Sequence, residues 1–171
     1  MADQYCSDLG IPKHLHHEDR PLVPFAETDE LMFRRFNLMT ESSVTACIKF
    51  SRMSVNRENF SSAEDALINT EHSGIYEGCG VVAFSVGSLL APTANGKWQV
   101  QGVPGEYELT AEHKPGRCNY AHSEVVVFKN GMELPKIKPI TVRLAIRRDL
   151  EKRIKIQLPI EQAGAQLPLG E

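Results

Sequence analysis

The chain has 171 residues, 42% hydrophobic and 24% charged, with a formal net charge of -3. That is ordinary globular composition at the size of one domain, and it excludes a disordered or low-complexity chain. No window approaches the roughly 18 apolar residues of a membrane span, and "MADQYCSDLG" lacks the basic-then-apolar layout of a signal peptide, so a cytoplasmic protein without a membrane partner is expected.

Charge is unevenly spread: residues 1–30 hold seven acids against Lys13 and Arg20, whereas residues 129–155 hold nine of the 19 basic residues against three acids. A polarised molecule follows. Residues 1–28, with prolines at 12, 21 and 24 and no sustained period, read as an irregular acidic arm. Within it "HLHHED" gathers His14, His16, His17, Glu18 and Asp19. These are transition-metal ligand types, but a proline-rich flank offers no fixed geometry, and no metal site is expected. Cys6, Cys47, Cys79 and Cys118 are scattered without a C-x-x-C pair. That spacing argues for reduced thiols, with Cys47 and Cys79 as small core residues.

The folded body is expected over residues 29–158, with 159–171 a flexible tail. "ELMFRRF" alternates crudely and reads as a short strand. "SVTACIKFS" alternates better, with Val44, Ala46, Ile48 and Phe50 on one face. In "SSAEDALIN", Ser61 and Glu64 form a capping box that predicts a short helix. "GVVAF" is apolar at successive positions, as in a strand buried on both faces, and "SVGSLL" turns out of it. "KWQVQ", "EYELTA" and "SEVVVFKNG" add three strands, separated by the turn pairs Pro-Gly at 104 and 115 and Asn-Gly at 95 and 130. Residues 139–150 fit either period and lean to a helix behind Pro139, with a strand after it over Arg153–Leu158. The fold class is α+β: a single compact domain with a predominantly β core and one or two short helices.

Two residues apart at the mouth of a strand, His122 and Glu124 share a face that Val126 and Phe128 continue. An imidazole beside a carboxylate is the pairing that general acid-base work needs; a hydrogen-bonded strand end is the plainer reading. In "FSRMSVNRENF", Ser54 and Asn56 share a strand face, and a turn at "VNRE" would present Arg57 to solvent. With Arg52 it could cradle a phosphate or carboxylate, unless the segment is a polar loop. His72 lies between the short helix and the buried strand, where it is either a site residue at the strand mouth or an idle loop histidine. No nucleophile elbow, P-loop, dinucleotide fingerprint or zinc spacing is present.

The ordered pieces "LMFRRF", "IKFSRMSVNRENFSSAEDAL", "GVVAFSVGSLL" and "NYAHSEVVVF" resemble a scattered group of small uncharacterised bacterial proteins over about residues 31–150, a resemblance that implies no activity. The chain is also similar in outline to ADP-ribosyltransferases. That likeness implies Arg34 or Arg35 for binding NAD, with His72 beside them, Ser54 for positioning it, and Glu124 for the nicotinamide ribose. The chain lacks the serine-threonine-serine step of that family, and His122 stands where many members carry a second Glu or Gln.

The leading expectation is therefore a small cytoplasmic binding or interaction module with a protein partner and no cofactor. The alternative is an NAD-using enzyme with Glu124, His122 and Ser54 as catalytic residues and Arg34, Arg35 and His72 on the cofactor. A second alternative is an anion or nucleic-acid binder acting through Lys136–Lys155, where no aromatic residue interleaves the basic ones to stack bases. Whether the site residues converge on one pocket separates these readings.

Overall fold

Alternating and β-branched runs punctuated by turn residues leave the chain few options other than strands paired side by side. The computed structural model describes residues 2–37 and 44–159. Among them lie β1 (Leu31–Phe36), β2 (Met53–Arg57), β3 (Gly80–Ser85), β4 (Trp98–Val100), β5 (Val103–His113), β6 (His122–Lys129), β7 (Met132–Leu134) and β8 (Lys155–Leu158). They form one sheet in the order β4-β5-β6-β2-β1-β3-β8, with β7 also pairing with β6. Every pairing is antiparallel. Two α-helices accompany the sheet, α1 (Ala2–Asp8) and α2 (Ile140–Glu151), so the domain is α+β with a predominantly β core. None of the described helices is long and apolar enough to cross a membrane.

The period-2 alternation of the strands builds two apolar layers. On one face Met32, Phe36, Met53, Val55, Val82, Phe84, Val125 and Val127 meet Val142, Ile146 and Leu150 of α2 in the main core. On the other, Phe33, Val81 and Ala83 pack with Ala66. β3 is thus buried on both faces, as its unbroken apolar run implies. The β6–β7 hairpin turns through Asn130 at φ 51 and Gly131 at φ 78, the left-handed pair that an Asn-Gly turn requires. Between the two periods that residues 139–150 fit, the helix prevails because its every-fourth-residue stripe covers the sheet.

Other stretches depart from expectation. Residues 44–50 are not a strand; Val44–Cys47 is a 3-10 turn. Where β1 and β2 part beyond Phe33, the Arg34 side chain and not a strand meets the Cys47 and Ser54 carbonyls, so this segment joins no ladder. Its apolar residues Cys47, Ile48 and Phe50 enter the main core from irregular backbone instead. The predicted helix at 61–69 shrinks to a 3-10 turn, Glu64–Leu67. Its reciprocal cap is formed by Ser62 and Asp65: the Ser62 N–H donates to Asp65 Oδ2 at 2.7 Å, and the Asp65 N–H to Ser62 Oγ at 3.3 Å. Ser61 Oγ donates instead to the Arg57 carbonyl.

Residues 2–28, read as irregular, carry α1 and a 3-10 turn at Lys13–Leu15 and are fastened to the sheet. Cys6, Ile11 and Leu15 are buried against Cys118 and Ala121. Cys6 and Cys118 form a disulfide across 112 residues, which corrects the expectation of four reduced thiols; Cys47 and Cys79 take no part in a disulfide. Sequence spacing is blind to this pairing because the return path of the arm, not the local chain, brings the two together. Residues 160–171, expected to be a flexible tail, lie outside the described residues.

A buried ion pair holds the arm's last stretch. Arg57 Nε donates to Glu30 Oε1 and Arg57 Nη2 to Glu30 Oε2, each at 2.7 Å, with both side chains 1% exposed. Arg57 Nη1 also donates to the Val23 carbonyl. Arg57 was expected in solvent; it is buried because a guanidinium with five donors finds acceptors in the arm that folds over it. Next to it, His113 Nδ1 accepts the Val23 N–H at 3.0 Å, so Nε2 is the protonated nitrogen and donates to the Tyr120 carbonyl at 2.6 Å. Burial, against the opposing hydrogen bond to the Tyr120 carbonyl and with help from the nearby Arg57 charge, lowers the His113 pKa below the ordinary 6.5.

Two stability measurements follow. Glu30→Gln strands a buried guanidinium, and we expect a loss of about 3–5 kcal/mol in urea unfolding; a loss under about 1 kcal/mol would contradict the buried pair. His113 is neutral in the folded state and its pKa is depressed, so its contribution is intact above pH 6.5 and is lost as pH falls below that value. The denaturation midpoint of the native chain should therefore drop as pH falls below 6.5, and the His113→Gln variant should show a flatter profile. Parallel profiles would refute the assignment.

Candidate functional site

A pocket opens where β1 and β2 part. The two strands pair at only two positions, Met32 with Arg57 and Phe33 with Asn56. Beyond Phe33 the gap is bridged by Arg34, whose Nε donates to the Cys47 carbonyl at 3.3 Å and Nη1 to the Ser54 carbonyl at 2.8 Å. Arg35, its neighbour, falls on the opposite face, as strand alternation requires. There the chain from Ala66 to Tyr76 forms a wall: Ile68 bridges to Ile75, and the Tyr76 N–H donates to the Leu67 carbonyl at 2.8 Å. The space enclosed is about 200 Å³.

The register of three adjacent strands fills this space with polar groups. Asn56 pairs with Phe33 on one side and His122 on the other, while Ser54 pairs with Glu124. Arg34, Arg35, Ser54, Asn56 and His122 all line the pocket, together with Tyr76, Asn119, Thr70 and Glu71. The Arg35 guanidinium lies over the Tyr76 ring, 3.4 Å from its centroid. Among the described residues no acid partners it. Asn56, 7% exposed, accepts from Asn119 Nδ2 at 3.0 Å, and its own Nδ2 has no protein partner among the described residues. His122 Nδ1 meets the Lys114 carbonyl at 2.5 Å, which makes Nδ1 the protonated nitrogen and leaves Nε2 as an unused acceptor.

Glu124 and His72 are not among the pocket-lining residues. The Glu124 carboxylate is engaged by Arg52 Nη1 and by Lys114 Nζ at 3.3 Å, and Lys114 also contacts Glu112 at 3.0 Å. Burial opposes ionisation of Glu124, but the hydrogen bonds from Arg52 and Lys114 outweigh it and hold its pKa below the ordinary value. The hydrogen bond that Lys114 donates to Glu112 in turn raises the Lys114 pKa, against a smaller effect of burial. Arg52 is spent on Glu124 and, at 2.5 Å, on Glu133. With Arg57 buried, the expected Arg52–Arg57 cradle does not form. His72 sits in an exposed turn, where its N–H and that of Glu71 are both capped by Asn69 Oδ1 at 3.1 Å.

The remaining histidines have structural partners. His14 Nε2 lies 2.8 Å from Asp65 Oδ2, His16 Nε2 is 2.9 Å from the Ile11 carbonyl, and His17 Nε2 is 3.2 Å from the Arg20 carbonyl. Among the described residues no group of three or more His, Cys, Asp or Glu is placed to hold a metal ion. Part of the basic C-terminal stretch braces the fold as well: Arg153 donates to the Ser88 and Leu90 carbonyls, and Arg147 lies over the Phe50 ring. Sequence reasoning missed Tyr76, Asn119, Thr70 and Glu71, which stand on loops without any period. The glycines at 74 and 78 around "IYE" were the one available sign of a loop wall.

Comparison with protein-family models, with curated proteins and with solved structures yields no match.

The Glu124 network is partly exposed, so Glu124→Gln should cost less than about 1 kcal/mol in urea unfolding. Because the Glu124 pKa is depressed, that difference from the native chain should be full above pH 4.5 and should vanish as pH falls below it. A difference that persists in acid would show that the charge of Glu124 is not its source.

Proposed function

We propose that the chain is a small binding module and that its ligand seat is the pocket between β1, β2, β6 and the loop from Ala66 to Tyr76. The observation that carries this reading is Arg35. Its guanidinium lies over the Tyr76 ring and has no acid partner among the described residues, while Arg52 and Arg57 are consumed by carboxylates. A stacked guanidinium keeps its hydrogen-bonding edge free, the geometry suited to a carboxylate or phosphate. Asn56 Nδ2 adds a donor, and the ligand's anionic end is assigned to this pair.

Size bounds the ligand. At about 30 Å³ per water, 200 Å³ corresponds to roughly six or seven water molecules. That lies below the 300–1,000 Å³ or so of sites that enclose drug-sized ligands, so a dinucleotide would remain largely outside. The engagement of Glu124 by Arg52 and Lys114 also weighs against the NAD-using alternative, which needs that carboxylate on the sugar. The Cys6–Cys118 bridge favours an oxidising compartment over the cytoplasm, because structural disulfides are rare where thiols are kept reduced.

Titration of the full chain with butanoate and with inorganic phosphate, followed by amide and side-chain NMR, tests the reading. Saturable shifts at Tyr76, Asn56 and His122 are expected with at least one of these anions. Arg35→Gln should weaken binding by about tenfold or more, the loss of a charge-assisted pair worth about 1.5–3 kcal/mol. Arg52→Gln, outside the pocket, should leave affinity unchanged. The absence of saturable shifts, or equal affinity in the Arg35→Gln variant, would overturn the reading.

A further inference from the structure

Resting on the reading of this pocket as a ligand seat, we infer that its ligand is a zwitterion: a small amino-carboxylate whose carboxylate meets Arg35 and whose ammonium meets Glu71, His122 and Ser54. The inference comes from what the pocket leaves unmet. Arg35 lines the pocket with no hydrogen-bond or ion-pair partner for its guanidinium among the described residues, and that guanidinium lies over the Tyr76 ring. Glu71 lines the same space and is exposed; its backbone N–H is capped by Asn69, but its carboxylate has no partner among the described residues. The two opposite charges border one pocket without pairing with each other.

The neutral groups repeat the asymmetry. His122 Nε2 is an acceptor by virtue of the Nδ1 bond to the Lys114 carbonyl. Ser54 Oγ has no protein partner among the described residues, although the Ser54 carbonyl is taken by Arg34. A bare anion would satisfy Arg35 and Asn56 but would leave the Glu71 carboxylate beside it as a like charge. An ammonium brings three N–H donors and no acceptor, which matches a carboxylate, an imidazole nitrogen and a hydroxyl. Register supports separate ends: Arg35 stands on β1 and His122 on β6, with β2 between them and β1 parting from β2 beyond Phe33, so more than two strand spacings of roughly 4.8 Å separate their backbones. The volume admits a ligand of about the bulk of six or seven waters, which suits amino-carboxylates of two to five carbons.

The test uses the full oxidised chain and matched probes: glycine, 3-aminopropanoate, 4-aminobutanoate and 5-aminopentanoate, each against the carboxylate and the primary amine of the same carbon count. At least one amino-carboxylate should bind about tenfold or more tightly than both of its matched halves, the gain from a second charge-assisted contact. Glu71→Gln should remove that preference while leaving carboxylate affinity equal or higher, and Arg35→Gln should weaken carboxylates and amino-carboxylates alike. If a plain carboxylate binds as tightly as its amino counterpart in the native chain, and Arg35→Gln weakens it, the zwitterion inference falls and the anion-binding module stands. Amines binding as tightly as amino-carboxylates would overturn the inference too. If no probe gives saturable binding, both fall.

Discussion

The buried fork between Arg57 and Glu30 is the constraint on which the rest of the molecule depends. Removing two charges from water costs several kcal/mol per ion, so the pair persists only with close geometry and with the guanidinium's remaining donors satisfied. Those remaining donors go to the carbonyls of Val23 and Pro24, and Phe25 covers the guanidinium from 3.9 Å. The path of the arm is thereby dictated. Once Val23 and Pro24 are held, the Val23 N–H falls to His113, the Tyr120 hydroxyl reaches the Pro21 carbonyl, and Arg20 lies over the Tyr120 ring. The acidic segment that the sequence marks as an irregular arm is in fact a cover, and Glu30 at its end neutralises an arginine that would otherwise be stranded.

The same fastening shapes the pocket. The Arg57 N–H donates to the Ala121 carbonyl and the Tyr120 N–H to the Leu15 carbonyl, so the loop entering β6 is gripped between arm and sheet. The disulfide adds a covalent hold at Cys118, beside the Asn119 that borders the pocket. β2 is thus anchored at its Arg57 end, where it pairs with β1, and departs from β1 toward its Met53 end. Arg34 fills the resulting gap with backbone carbonyls on one side, and the other side becomes the pocket. A fully zipped β1–β2 ladder would leave no such space.

Elements whose local pattern matched their tertiary surroundings were legible from the sequence. β1 and β6 carry an alternation, and β3 an unbroken apolar run, that agree with the layers they pack into, whereas residues 139–150 fit two periods and only the sheet beneath them selects the helix; such agreement between levels is what makes a chain readable. Residues 44–50 carried the same alternation yet join no ladder, and the pattern alone cannot reveal that. The Cys6–Cys118 pairing and the Arg57–Glu30 fork are long-range meetings between segments that look unrelated. The candidate site divides in the same way. Arg34, Arg35, Ser54 and His122 come together because adjacent strands align them, whereas Tyr76, Asn119 and Glu71 arrive on loops, where no period exists to be read.

Arg34 and Arg35 show how little a count of charges says about chemistry. They are identical residues side by side on one strand, and alternation sends them to opposite faces. On one face the guanidinium meets main-chain carbonyls left over by the splayed strands, and it becomes part of the scaffold. On the other it meets a tyrosine ring, which orients it without neutralising it. Of the arginines that composition offers as anion ligands, Arg52 and Arg57 are consumed by carboxylates and Arg34, Arg147 and Arg153 brace carbonyls or a ring. What sets Arg35 apart is that, among the described residues, no acid pairs with it, a property that belongs to the folded arrangement and to no single position in the chain.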